Sequence, residues 1–501
     1  MPRQKFFMIG FALALGAGVA NGQQTADAPA GARAARGASA ASLRELETEM
    51  RELHAMMQAA RAEAVELRRE LEAARTEIAS WASRAVPAGP APAGPAPVEA
   101  RATGERLAKL EEEHELLGAK VDEHYQTKVE SASRYRVKLS GLALLNAFTN
   151  RGRVDVADVP TTARGEASAG FGATVRQTQL GLEVRGPDLG TARTSAEVRL
   201  DLAGGSPYTA DGVNAGLLRV RTASVRLDWE RISIVAGQEP LFFSPLSPTS
   251  IASLAVPALS HSGNLWGWVP QLRVERRIDV SENSGFVLQG GLLDVSAGET
   301  TDYSFVGYPA RGAGQPAYAA RVAWTRKLSG RDFTVGAGGY YSRQDWLLGR
   351  RLDGWAAMTD WEIPVSSWLE LSGEMYRGRG IGGIGGALGH STVSSAPLAD
   401  AAAQAAGLND AGGWAQVKVR PAECFEINGA VGTDRAFARD TRRFGPARGY
   451  PAAGNRSALA NVIYRPRSSL LFSLEYRRIR TLFPAHAETA GHVNLGLGVA
   501  F

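Results

Sequence analysis

Hydrophobic positions along the chain follow two periods, and the change between them falls near residue 131. From Tyr135 onward apolar residues recur at every second position. Leu180, Leu182 and Val184 alternate with Gln179, Gly181, Glu183 and Arg185; Ala196, Val198, Leu200 and Leu202 alternate with Glu197, Arg199 and Asp201. Successive side chains of a strand point to opposite faces, so each run has one apolar and one polar face. About sixteen such runs are counted, near 135–148, 174–185, 191–202, 217–230, 231–238, 270–279, 285–295, 317–328, 331–342, 352–363, 367–377, 413–421, 423–433, 457–465, 469–480 and 490–501. Each approaches the roughly 9 to 11 residues that cross a bilayer as a tilted strand.

The connections alternate short and long along the chain. Tight turns at 186–190, 230–231, 282–284, 329–330, 364–366, 421–422 and 466–467 take turns with longer segments such as 149–173, 239–269 and 378–412. A membrane barrel has short turns on its periplasmic side and long loops outside, whereas a propeller or sandwich has no such two-sided rhythm. The pattern predicts an all-β fold over 131–501: a transmembrane antiparallel β-barrel of about 16 strands. Trp229, Trp324, Trp355, Trp361, Trp368, Trp414, Tyr464 and Tyr476 fall near strand ends, as interfacial girdles do. In the last run, Val493, Leu495, Leu497, Val499 and Phe501 take the lipid face, and this strand is expected to close the barrel against the first near Val137 and Leu139.

Upstream the period is 3.5. Leu43, Met50, Met57, Ala64, Leu71 and Ile78 form one seam, and Leu46, Leu53, Ala60, Leu67, Ala74 and Trp81 the other, which predicts a homo-oligomeric α-helical coiled coil over 42–83. Ser42 and Glu45 form a capping box at its start. A Pro/Ala linker follows over 84–102, then a second short helix over 103–130 through Leu107, Leu110, His114, Leu117 and Val121. His114 reads as a polar layer, since no second ligand lies at metal spacing. Before the coiled coil, residues 23–41 form a linker, and 1–22 read as a signal peptide. Arg3 and Lys5 precede the apolar stretch 6–19, and Ala20, Asn21 and Gly22 supply a cleavage site before Gln23, or before Asn21. The expected location is the bacterial outer membrane, with the N-terminal region in the periplasm.

Composition narrows the function classes. Mean hydropathy is -0.16, and no mature stretch offers the roughly 18 apolar residues of a membrane helix. The single Cys424 allows no internal disulfide. The net charge of +5 is spread among interleaved acids and bases, which gives no support to nucleic-acid binding. No GxSxG, HExxH or paired-cysteine pattern occurs, so no enzyme activity, cofactor or metal is expected. Gly378, Gly380 and Gly383 match a dinucleotide fingerprint without a following helix and are read as a flexible loop.

The connection 239–269 carries Leu241, Phe242, Phe243, Pro245, Pro248, Ile251 and Leu254, which a solvated loop does not need. Folded back into the barrel it would bury these groups and narrow the channel. Charged residues at inward positions include Arg193, Arg199, Arg273, Arg321, Lys418 and Arg477, with Glu183, Glu197, Asp201, Glu275, Glu370, Glu374 and Glu475 as the opposite sign. Arg219 and Arg221 point inward only if a bulge lies near Ala223 and Ser224. Facing walls of arginine and carboxylate orient polar solutes, and an arginine excess at the narrowest point favours anions.

In architecture, residues 42–501 resemble trimeric outer-membrane porins of the DcaP-like kind and, more distantly, the phosphate-selective porins. Local matches are Gly237 and Gln238, the stretch Ser262, Gly263, Asn264, Leu265, Trp266, and Pro270 to Val274. The resemblance implies a homotrimer whose third loop narrows each pore, with Arg273 on the pore wall and Ser262 and Asn264 in the constriction, and passive uptake of small hydrophilic, often anionic, solutes. No lysine ladder of the phosphate-selective type is present. Expected partners are these solutes, outer-membrane lipid and further copies of the chain. An alternative from a different class is a barrel that anchors a coiled-coil tether in contact with the cell wall.

Overall fold

The computed structural model describes residues 135–205, 216–296, 311–312, 314–328, 330–346, 348–444 and 452–501. The signal segment, the coiled coil 42–83, the linkers and the helix 103–130 lie outside the described residues.

One antiparallel sheet closes on itself. Its strands in chain order are β1 (Arg136–Arg151), β2 in two pieces (Gly170–Thr174 and Gln179–Arg185), β3 (Arg193–Gly204), β4 (Leu217–Asp228), β5 (Ile232–Pro240), β6 (Trp268–Ser281), β7 (Ser284–Leu293) and β8 (Ala317–Leu328). They continue with β9 (Arg331–Asp345), β10 (Arg351–Pro364), β11 (Leu369–Arg379), β12 (Asn409–Ala422), β13 (Phe425–Ala436), β14 (Gly454–Arg467), β15 (Leu470–Leu482) and β16 (Ala487–Ala500). The two-residue piece Arg311–Gly312 also joins the sheet beside β9. The all-β barrel of sixteen strands, each paired with its chain neighbours, is therefore as the alternation predicts.

Burial follows the same alternation. On β16, Val493, Leu495, Leu497 and Val499 are exposed on the outer surface while His492, Asn494, Gly496 and Gly498 are buried. On β14, Val462 and Tyr464 face out while Asn455, Ser457 and Asn461 face in. In lipid every backbone group must pair within the protein, and closure supplies the last ladder. That ladder corrects one expectation: β16 pairs with the upper part of β1, Leu142 opposite Ala500 through Arg151 opposite Gly491, whereas Val137 and Leu139 pair with Val184 and Leu182 of β2. Tilted strands are staggered around a barrel, so the first strand overhangs the last. A second correction concerns Trp414, which points inward and packs on Ala258 and Leu259 instead of joining a girdle.

The largest apolar cluster lies inside the barrel. Phe243, Leu265, Ile381 and Ile384 pack there against the inward wall residues Tyr340, Met358 and Tyr376.

Candidate functional site: a pinned constriction in the lumen

Residues 241–267, between β5 and β6, run along the inner wall and are tied to it on successive strands. Ser244, Ser247, Ser250 and Ser253 recur at every third residue among prolines, a spacing that lines them along one side of an extended chain. Three of them meet the wall. Ser244 Oγ donates to Glu374 of β11 at 2.7 Å, Ser250 Oγ donates to Glu475 of β15 at 2.5 Å, and Ser253 Oγ accepts from Arg477 Nη2 at 2.5 Å. Backbone donors add to these: Leu246 N reaches Glu374 at 2.8 Å and Thr249 N reaches Gln416 of β12 at 2.6 Å.

The interruption of β2 supplies another pin. Thr178 Oγ1 replaces ladder partners by bonding Leu144 N at 3.1 Å, and the break turns Gln177 into the lumen, fully buried. Its Oε1 accepts from Leu254 N and Ala255 N at 2.7 and 3.0 Å, and its Nε2 donates to Ala252 O at 3.1 Å. A side-chain amide holding three backbone groups fixes both position and direction of the segment.

Further along, the segment meets the wall backbone to backbone. Gly263 has φ +98, and a Cβ there would lie 2.2 Å from Gly413 O; a Cβ at Gly432 would lie 2.2 Å from Ser262 O. Ser262 and Asn264 are fully buried in this contact. Ser262 Oγ bonds Ser457 Oγ at 2.8 Å and accepts from Asn455 Nδ2 at 2.9 Å, while Asn264 Nδ2 donates to Ala258 O at 2.8 Å and to Ser247 Oγ at 3.1 Å. Both side chains thus hold the segment and neither presents a polar atom to open lumen.

A second inward segment was not legible beforehand. The glycine run 378–383, read as a flexible loop, opens a stretch that is almost wholly buried from 380 to 391. Ile381 and Ile384 join the lumen core, Trp266 N donates to Ile384 O at 3.0 Å, and Ser296 Oγ donates to Gly383 O at 2.7 Å. Ile381, Ile384 and Leu388, three and four residues apart within and just after the glycine-rich run, are the signal in the sequence that a flexible-loop reading passes over.

The charged residues form paired layers on the wall. Arg199 opposes Thr222 while Leu200 opposes Val220, so Arg221 is the extra residue of a β-bulge. The parity change this creates turns both Arg219 and Arg221 inward. Arg219 grips Asp201 from two nitrogens, at 2.6 and 3.0 Å, and donates to Ala255 O of the constriction segment at 2.7 Å. Arg221 Nε stands 3.6 Å from the same carboxylate. Both guanidiniums lie over the Trp268 ring, 5.0 and 4.9 Å from its centre. Arg199 pairs with Glu197 on the same wall. A cavity of about 420 Å³ opens between Arg221, Trp268 and the segment's Ser244, Pro245, Leu254 and Pro257.

On β6, Arg273 Nε donates to Glu275 at 2.7 Å and Arg226 Nη2 reaches the other oxygen at 3.1 Å; Glu239 lies 3.7 Å from Arg273. Two strands along the same wall Arg321 grips Asp360 at 2.6 and 2.9 Å and donates at 3.2 Å to Gln289, whose Nε2 in turn donates to Glu275 at 3.1 Å. Nearer the short turns, Glu370 holds Arg331, Lys418 and Arg420 together. In most pairs the base is more exposed than its acid. Arg219 keeps 27% of its side chain exposed and Asp201 0%; Arg420 keeps 35% and Glu370 6%. At Asp201 and Glu370 the acids are set into the wall and the guanidiniums stand in front of them, whereas Arg273 is no more exposed than Glu275 and less so than Glu239.

His261, beside the Gly263 contact, is buried, with its Nδ1 3.0 Å from Thr161 Oγ1. Burial holds its imidazole down at about 4 against the attraction of Asp155. This ties the connection after β1 to the constriction.

The fold is similar to that of the outer membrane channel DcaP of Acinetobacter baumannii, with a TM-score of 0.57 at 18% identity, over 74% of this chain and 99% of that one. The anion-selective porin from Comamonas acidovorans aligns at a TM-score of 0.47 and 11% identity, over 73% of this chain and 100% of that one. No family model and no curated protein sequence matches the chain. The DcaP likeness establishes a porin-type barrel as the fold.

Proposed function

We propose that this chain is an outer-membrane porin that passes small hydrophilic solutes by passive diffusion and favours anions at its constriction. The exposure asymmetry of the ion pairs carries the reading. Where Arg219, Arg221 and Arg420 reach water and Asp201 and Glu370 do not, a passing solute meets guanidinium donors first, even where acids and bases are similar in number. A low-dielectric wall strengthens that contact. The exposed apolar belt supports insertion in a bilayer, and the likeness in fold to an outer membrane channel supports the outer membrane as its place.

The experiment is purified protein in planar bilayers under a tenfold salt gradient. An anion-side reversal potential is expected. A cation-selective current would sink the anion preference, and an absence of any current from folded barrel would sink the porin reading.

A further inference from the structure

The outer surface of β10 to β15 is not a uniform apolar belt. A groove of about 820 Å³ runs along it. Its floor is made of small outward positions, Ala411, Gly413, Ala415 and Ala458, with Trp361 and Met375 rising on one side. On the other side stand Arg456, Arg478 and Arg480, with Arg456 directly opposite Arg480 and Ala458 opposite Arg478 in the β14–β15 ladder. Arg435, exposed on β13, adds a fourth cation two residues beyond Thr433, the partner of Arg456.

Three features separate these arginines from the paired ones of the lumen. They alternate with the buried inward residues Asn455, Ser457, Ile479 and Thr481, so they face out. None of them makes an ion pair among the described residues, and no acid stands at an outward position of β12 to β16. Their height is set by the strand. Tyr464, stacked on Phe472 and in tilted ring contact with Phe425, marks the short-turn end of the belt. Eight residues separate it from Arg456 along β14. At about 3.4 Å per residue and a tilt of about 40°, that is roughly 20 Å of height, against a hydrocarbon band about 25 Å tall. The arginine backbones therefore lie in the upper part of the band on the long-loop side, from which their long side chains reach up to the headgroups, with the groove running down from them into the hydrocarbon.

We infer that this face binds one anionic lipid of the outer leaflet, its phosphate held by Arg456, Arg478 and Arg480 and an acyl chain laid in the groove over Gly413 and Ala458. An uncompensated guanidinium cluster at a lipid boundary needs a counter-charge, and phosphate matches its fork geometry. The missing side chains below it make room for a hydrocarbon chain that an unbroken belt would exclude. The inference rests on the barrel spanning a bilayer. The floor is also thin: Gly413 and Gly432, which meet the constriction segment from inside, belong to this same patch of wall.

The test is native mass spectrometry of the full chain from nanodiscs of phosphatidylcholine containing phosphatidic acid as the probe. The wild type is expected to retain phosphatidic acid about tenfold over phosphatidylcholine. The combined variant Arg456→Ala, Arg478→Ala, Arg480→Ala should lose the preference. Ala458→Trp, which fills the groove and leaves the arginines, should lower retention about tenfold, and soluble glycerol phosphate should not compete. Equal retention by wild type and triple variant would overturn the inference. Retention that glycerol phosphate abolishes and Ala458→Trp leaves unchanged would do so too, as would cross-linking of this face to a second copy. A barrel that does not enter the nanodisc removes the membrane-spanning reading along with it.

Discussion

Arg219 holds Asp201 with Nε and Nη2 on separate carboxylate oxygens, and the same Nη2 reaches the Ala255 carbonyl of the constriction segment. One guanidinium thus ties a buried wall acid to the loop that narrows the lumen, while a face of it stays wet and lies over Trp268.

Removing the cations and leaving the acid should reverse the field at this point. The double variant Arg219→Ala, Arg221→Ala is expected to shift the reversal potential toward cations, with the anion-to-cation permeability ratio falling roughly fivefold or more. An unchanged ratio would place selectivity elsewhere on the wall.

Glu374 accepts from Ser244 Oγ and Leu246 N and is buried on β11. Glu374→Leu leaves both donors without that partner. Each orphaned buried donor costs about 1–3 kcal/mol, so the midpoint of thermal unfolding should fall and open-channel current should become noisier as the segment detaches. Quiet current and unaltered unfolding would show that the remaining pins suffice.

Gly263→Val should be more disruptive than its size suggests. The new Cβ would meet Gly413 backbone at 2.2 Å, and φ is +98, a region costly for a branched side chain. A loss of about 2–4 kcal/mol is expected, read by thermal unfolding. Gly190, also at positive φ but with open space around it, is the control: Gly190→Val should show the backbone strain alone.

Acid should loosen the constriction through His261. Its imidazole titrates near 4 in the fold and near 6.5 when unfolded, so between those values the unfolded chain binds the additional proton. Stability from neutral His261 is complete above about 6.5 and declines as pH falls toward 4, by up to about 3 kcal/mol. His261→Gln should flatten that part of the unfolding-versus-pH curve. An identical slope in the variant would assign the pH dependence to other groups.

Legibility differed by the range of the interaction. Strand number, inward and outward faces and the alternation of connections are visible because side-chain period and turn length are local properties. The inward turn of Arg219 and Arg221 was readable only as a condition on a bulge, and the register at Arg199 and Leu200 meets that condition. Gln177 falls on the polar side of the alternating run 174–185, but the strand break that carries it to the constriction is not legible there, because Thr178 replaces the ladder by a side-chain bond to another strand.

Period and polarity, carried residue by residue, were enough in the sequence alone to determine a sixteen-stranded barrel with charged residues inside and Val, Leu and aromatic residues outside. The tertiary structure alone decided that β16 closes on Leu142 to Arg151, that Ser262 and Asn264 are buried fasteners, that residues 380–391 enter the lumen, and that acids stand behind arginines. The physical reason is that alternation specifies which way a side chain points, whereas stagger, loop path and the depth of a charge depend on which distant strand arrives opposite it.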